Sequence, residues 1–224
     1  DVESRGLGDV YKRQPPFLTS DGNAKNVTGY HIRLGVDTTY VQGDSEVGLV
    51  IMRYAEALLS YAEAAEELGK CDDAVLEKTL KPLRERAGVK YVKPVTVDPN
   101  FTDYGYALTP VLQEIRRERR VELALQGYRL DDLMRWGGAK VIVNKRGRGA
   151  YLGKDAVLYK SFTEEQQSKL TTILTDGSQW MDPLQELLPN GYQFVAGRDY
   201  LLPIPPSELK LNRQMKQNPG WGEE

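Results

Sequence analysis

A chain of 224 residues and 25.3 kDa has enough length to bury one large core or two small ones. Its 40% hydrophobic and 28% charged residues, with a mean hydropathy of -0.51, argue against a disordered tail and against a membrane-embedded protein. Thirty Lys and Arg against 32 Asp and Glu leave a net charge of -2, so the basic excess of a general nucleic-acid binder is missing. One cysteine, Cys71, excludes an internal disulfide and a cysteine-built zinc cluster. One histidine, His31, leaves little room for histidine catalysis or a multi-histidine metal site. No stretch approaches the roughly 20 apolar residues of a membrane-spanning helix.

Residues 1–14 carry neither helical nor strand periodicity and run into Pro15-Pro16, which reads as a disordered or foreign leader. Between residues 17 and 48, glycines recur among Thr, Asn and Asp, and only Tyr30 to Val36 alternates, which predicts one short extended segment. From Val50 to Leu68, Ile51, Ala55, Leu58, Leu59, Ala62, Ala65 and Leu68 recur at helical spacing and form a single stripe. Gly69 supplies the left-handed residue that ends this helix. Asp72 or Asp73 then caps a second helix through Leu76, Leu80 and Leu83, and Pro82 is expected to kink or split it. Residues 89–108 read as a loop, and Thr109-Pro110 opens the next helix with a capping hydroxyl and a proline at the first helical position. Gly127 separates that helix from a shorter one ending at Trp136 and Gly137-Gly138.

Beyond residue 139 the pattern is mixed. Lys145-Arg146-Gly147-Arg148 reads as a solvated basic loop, and Thr163 to Gln166 as a capping box before Leu170, Ile173 and Leu174. Asp176-Gly177 turns the chain, and Tyr200 to Leu209 is a proline-rigid arm leading into a short helix. The fold class expected is therefore all-α: helical hairpins turning at Gly69 and Gly127, embedded among long irregular loops. Leu58, Tyr61, Ala62, Ala65, Gly69 and Ala74 fall near the spacing of a tetratricopeptide repeat, although the two turns are not separated by a multiple of its period.

Five blocks resemble the SusD/RagB family in order along the chain. They are Arg53 to Ala64, Leu83 to Gly88, Ile115 to Leu123 with Gly127-Tyr128-Arg129 and Asp132 to Trp136, Leu202 to Glu208, and Gln217 to Trp221. The resemblance covers about residues 28–224, and the chain is read as a non-family leader, disordered or artefactual, over residues 1–14 and a SusD-like C-terminal region over residues 15–224. The resemblance implies a surface lipoprotein of the Gram-negative outer membrane, with tetratricopeptide-like helical pairs. It also implies binding of oligosaccharide and partnership with a TonB-dependent transporter of the SusC type. An alternative within the same resemblance is a docking scaffold of such a transporter that binds peptide or another nutrient. The family's lipid-bearing cysteine is not matched by Cys71, which falls between helices, and the blocks belong to the family's C-terminal half. On that reading the helix stripe at Leu58, Leu59, Tyr61 and Ala62 is expected to be exposed, because helical pairs pack on their neighbours.

Nothing suggests catalysis. A nucleophile elbow, a phosphate loop and zinc-ligand spacing are all missing from the sequence, so no catalytic residue, metal ligand or cofactor is assigned. Glu118 and Glu122, one helical turn apart, read as parts of a structural ion network with nearby arginines. Asp131 and Asp132 diverge by about 100° on a helix and so make a poor metal pair. For a sugar ligand, aromatic rings matter because they stack on the flat C–H faces of pyranoses. Trp136 and Trp221 sit in the shared blocks and read as core packing. Trp180, Tyr104 and Tyr106 lie in loop segments and are the candidate ligand-binding residues.

Overall fold

A computed structural model describes residues 28–30, 48, 50–169 and 175–222. Among these residues the regular structure is helical, with only the isolated bridges Tyr151–Trp180 and Thr175–Met181 pairing in the manner of strands. Residues 1–14, His31, the extended segment expected beyond Tyr30, and Leu170, Ile173 and Leu174 lie outside the described residues. The chain divides into two compact units. Of the described residues, one unit, the helical unit, holds those of 50–143 and 193–222; the other, the loop unit, holds 28–30 and 48 together with those of 144–192.

In the helical unit, α1 (Tyr54–Glu67) ends as its sequence requires. Gly69 adopts φ 66°, its N–H bonds to the Glu66 carbonyl at 2.9 Å, and the Lys70 N–H bonds to the Ala65 carbonyl at 2.8 Å. These two bonds form a Schellman motif, which needs a left-handed residue at that position. Asp72 caps α2 (Asp73–Lys78) by accepting the Val75 N–H at 2.9 Å. Pro82 does split the second helix. It cannot donate to the Lys78 carbonyl four residues back, α2 stops at Lys78, and α3 (Leu80–Arg86) begins after Thr79. α4 (Pro110–Glu122) starts at Thr109, whose hydroxyl accepts the Leu112 N–H at 3.0 Å.

The core of this unit joins Ala55, Leu59 and Ala62 of α1 to Leu76, Leu80, Leu83, Ile115 and Leu123. Leu59, Leu80 and Ile115 are fully buried, and each such side chain contributes about 1.5–3 kcal/mol. The exposed face of α1 therefore differs from the expected one. Leu59 and Ala62 pack inward, whereas Tyr54 and Tyr61 face solvent with Leu58 half-buried. The expected stripe mixes two faces of the helix, because Leu58 and Leu59, like Tyr61 and Ala62, point about 100° apart. A second cluster joins Tyr104, Leu133 and Trp136, bringing α5 (Tyr128–Arg135) and α6 (Ala139–Ile142) against the loop before α4. α9 (Pro206–Leu211) is the short helix after the proline arm.

The loop unit holds α7 (Val157–Lys160) and α8 (Glu164–Lys169), around a small core of Ala150, Leu152, Phe162 and Met181. Close backbone approach shapes it: a Cβ on Gly149 would lie 2.4 Å from the Thr28 carbonyl oxygen. The two ends of its 144–192 segment are tied side by side, since the Asn144 N–H donates to the Tyr192 carbonyl and the Tyr192 N–H to the Lys145 carbonyl, both at 2.9 Å.

Candidate functional site

The charge-dense face of α4 is built as a set of closed ion pairs, with two exceptions among the described residues, the exposed Arg120 and the buried Arg116. Glu118 accepts from Arg84 at 2.9 Å, and Glu122 pairs with Arg53 and Arg86. Arg119 clamps the buried Asp132 at 3.0–3.2 Å, and Arg135 bridges Asp132 at 2.8 Å and Glu63 at 2.6 Å. The Trp136 indole N–H also donates to Glu63. Burial alone would lower the Arg135 pKa, but the hydrogen bonds to Glu63 and Asp132 raise it on balance. Each of these carboxylates is engaged with at least one guanidinium. Asp131 is exposed while Asp132 is buried, so the adjacent pair diverges as the helix geometry demands.

Arg116 is the buried one of the two. It is 4% exposed, and no carboxylate pairs with it among the described residues. Aromatic rings surround it instead: its guanidinium carbon lies 4.5 Å from the Trp136 ring centroid, 5.2 Å from Tyr104 and 5.6 Å from Tyr106. Its Nη1 donates to the Tyr106 hydroxyl at 2.7 Å, and that hydroxyl donates to the Trp136 carbonyl at 2.6 Å. The Nε has no hydrogen-bond partner. Beside it opens a cleft of about 170 Å³, bordered by Phe101, Tyr104, Arg116, Arg117 and Arg120.

Of the aromatic candidates, Tyr104 and Tyr106 come together here, with ring centroids 6.3 Å apart. Tyr104 is buried and stands edge-on to Trp136 at 5.8 Å, so it forms a wall of the cleft rather than an open stacking face. Tyr106 is 46% exposed and holds Arg116 through its hydroxyl. Trp136 is buried, matching its reading as core, and Trp221 is partly buried with its indole N–H on the carbonyls of Arg198 and Leu201.

Trp180 belongs to the loop unit. It is 40% exposed, and its ring lies 5.4 Å from that of Tyr151 at 49°, an arrangement that leaves an aromatic shelf open to solvent. The backbone beneath is pinned. The Trp180 N–H donates to the Asp176 carboxylate at 2.9 Å, the Asp176 N–H to the Trp180 carbonyl at 2.8 Å, and the Leu152 N–H to the Gln179 carbonyl at 2.9 Å. Tyr151 was not legible as a partner, because nothing in local spacing links two residues so far apart in the chain.

The basic loop is corrected. Arg146 does not sit in solvent but grips the fully buried Asp182 at 2.6–2.9 Å and donates to the carbonyls of Leu188 and Pro189. Arg148 pairs with Asp176 at 3.0 Å. The hydrogen bond from Arg146 holds the Asp182 carboxyl below its ordinary pKa, against the opposing effect of desolvation.

Among the described residues no group of His, Cys, Asp and Glu is arranged to hold a metal ion, and no helix is long and apolar enough to cross a membrane. A model of the SusD family matches residues 4–221. Proteins of that family are non-catalytic binding proteins. A solved SusD homologue from Bacteroides thetaiotaomicron is similar at 25% identity with a TM-score of 0.44; the match covers 82% of this chain and 30% of that one. The chain thus spans about a third of the length of that relative. No curated protein matches it.

Proposed function

This chain belongs to the SusD family, and from that membership we propose that it is a non-catalytic, glycan-binding component of a nutrient-uptake system at the cell surface. In this reading it presents oligosaccharide to a SusC-type TonB-dependent transporter in the outer membrane. The observation that carries the reading is the Trp180–Tyr151 shelf. A half-exposed indole with its backbone pinned on a turn offers a rigid apolar face, which is what the C–H face of a pyranose ring requires. The neighbouring Arg148–Asp176 pair supplies polar groups for the hydroxyls. Tyr104 and Tyr106 support the same role indirectly, by shaping the cleft at Arg116.

The reading is tested by screening the protein against a glycan array and then titrating the best hit by calorimetry with wild type and Trp180→Ala. Loss of binding in the variant at unchanged melting temperature supports it. A failure of every glycan, with capture of peptide instead, would shift the reading to a docking scaffold for another nutrient.

A further inference from the structure

We infer that the cleft beside Arg116 receives an oxyanion carried on a sugar ring, as in a uronic acid or a sulfated monosaccharide. The sugar in this inference rests on the glycan reading above; the charge rests on the cleft alone. α4 places Arg116 and Arg120 four residues apart, on one face of the helix. Neither has a carboxylate partner among the described residues. Arg117, which also borders the cleft, is already matched: its Nη2 lies 2.6 Å from Asp98 and its Nε 3.2 Å from Glu114, the latter outside hydrogen-bonding alignment. The cleft therefore carries two uncompensated positive charges.

A guanidinium buried without a counter-ion is costly, and three aromatic rings around Arg116 offset only part of that cost. An entering carboxylate or sulfate supplies the missing partner, and the planar fork of arginine suits both. Asp98 is ionised at neutral pH like any ordinary aspartate, and the hydrogen bond it accepts from Arg117 holds its carboxyl lower still. It repels an anion at its own end and directs the charge toward Arg116 and Arg120. Asn100 and Thr102 line the same cleft with side chains that have no hydrogen-bond partner among the described residues, leaving an amide and a hydroxyl for ring hydroxyls. The volume, about 170 Å³, falls below the roughly 300 Å³ at which pockets hold drug-sized ligands, so it suits one sugar unit and not a chain.

The test uses calorimetry on the full chain with D-glucuronate, glucose 6-sulfate, glucose and inorganic sulfate. The acidic sugars are expected to bind about tenfold tighter than glucose, with affinity falling as salt rises. Arg120→Gln, at an exposed position, is expected to remove that advantage without lowering the melting temperature; Arg116→Lys is expected to weaken acidic sugars while keeping the charge. Equal binding of glucuronate and glucose overturns the inference, and so does inorganic sulfate binding as tightly as the acidic sugars. If a neutral oligosaccharide binds in a Trp180-dependent way while the acidic monosaccharides do not, this inference fails and the glycan reading stands. If no sugar binds anywhere, both fail.

Discussion

Arg146 and Asp182 form a two-pronged ion pair in which the carboxylate is fully buried and the guanidinium also holds two backbone carbonyls. This pair anchors the loop unit, because a buried carboxylate deprived of its cation is left without compensation. Arg146→Ala is expected to cost about 3 kcal/mol, the size typical of breaking a buried pair from one side. Urea unfolding of the variant measures it.

The same pair sets an acid limit. The Asp182 carboxyl is depressed in the folded state, so its contribution is present above the unfolded value near 4 and is lost as pH falls through the folded value. Melting temperature is expected to drop as pH is lowered below about 4, and Asp182→Asn is expected to start lower and to lose less over that window. Thermal melts from neutral to acid pH compare the two slopes.

Trp136 and Trp180 are expected to separate cleanly. Trp136→Ala empties a core position and removes a donor from Glu63, at about 3 kcal/mol or more of stability. Trp180→Ala is expected to leave the melting temperature nearly unchanged and to cost about 1 kcal/mol or more of glycan binding. Calorimetry and thermal melts on both variants decide it, and early melting of Trp180→Ala with intact binding would place that ring in the core.

Two glycines are expected to fail for different reasons. Gly69→Ala meets empty space and bears only the cost of its positive φ, about 1 kcal/mol. Gly149→Ala drives a methyl group against the Thr28 carbonyl and is expected to cost about 2 kcal/mol or more. Denaturant midpoints of the two variants should rank in that order.

Cys71 is expected to be slow to alkylate. Desolvation first, then the charges of Glu66 and Asp72, push its thiol up to about 11, so little thiolate exists at neutral pH. The iodoacetamide rate should climb steadily from about pH 8 toward that value; fast labelling at neutral pH would contradict the burial.

The elements legible in the sequence are those specified by neighbours. The Gly69 turn, the Asp72 and Thr109 caps and the split at Pro82 each follow from residues within four positions, where backbone chemistry decides the outcome. Trp136 was legible as core because it ends an amphipathic helix beside Leu133. The candidate site was less so. Arg116 looks like its neighbours Arg117 and Arg119 along the chain, and only the fold reveals that it alone among the three faces rings instead of acids. The pairings of Trp180 with Tyr151 and of Arg146 with Asp182 join distant positions, and no local periodicity encodes them.

The tie between Asn144 and Tyr192 makes the intervening stretch a cassette. A segment whose two ends meet through paired backbone bonds can change in length and content at little entropic cost, since its closure is already fixed where it begins and ends. The Asp72 and Thr109 caps and the ion pairs of Glu63, Glu118, Glu122 and Asp132 lie outside that stretch, while the exposed indole and its own ion pairs, Arg146–Asp182 and Arg148–Asp176, lie within it. The stretch can thus be exchanged as a unit, carrying the exposed indole with it, while the helices that carry the family's shared blocks keep their sequence.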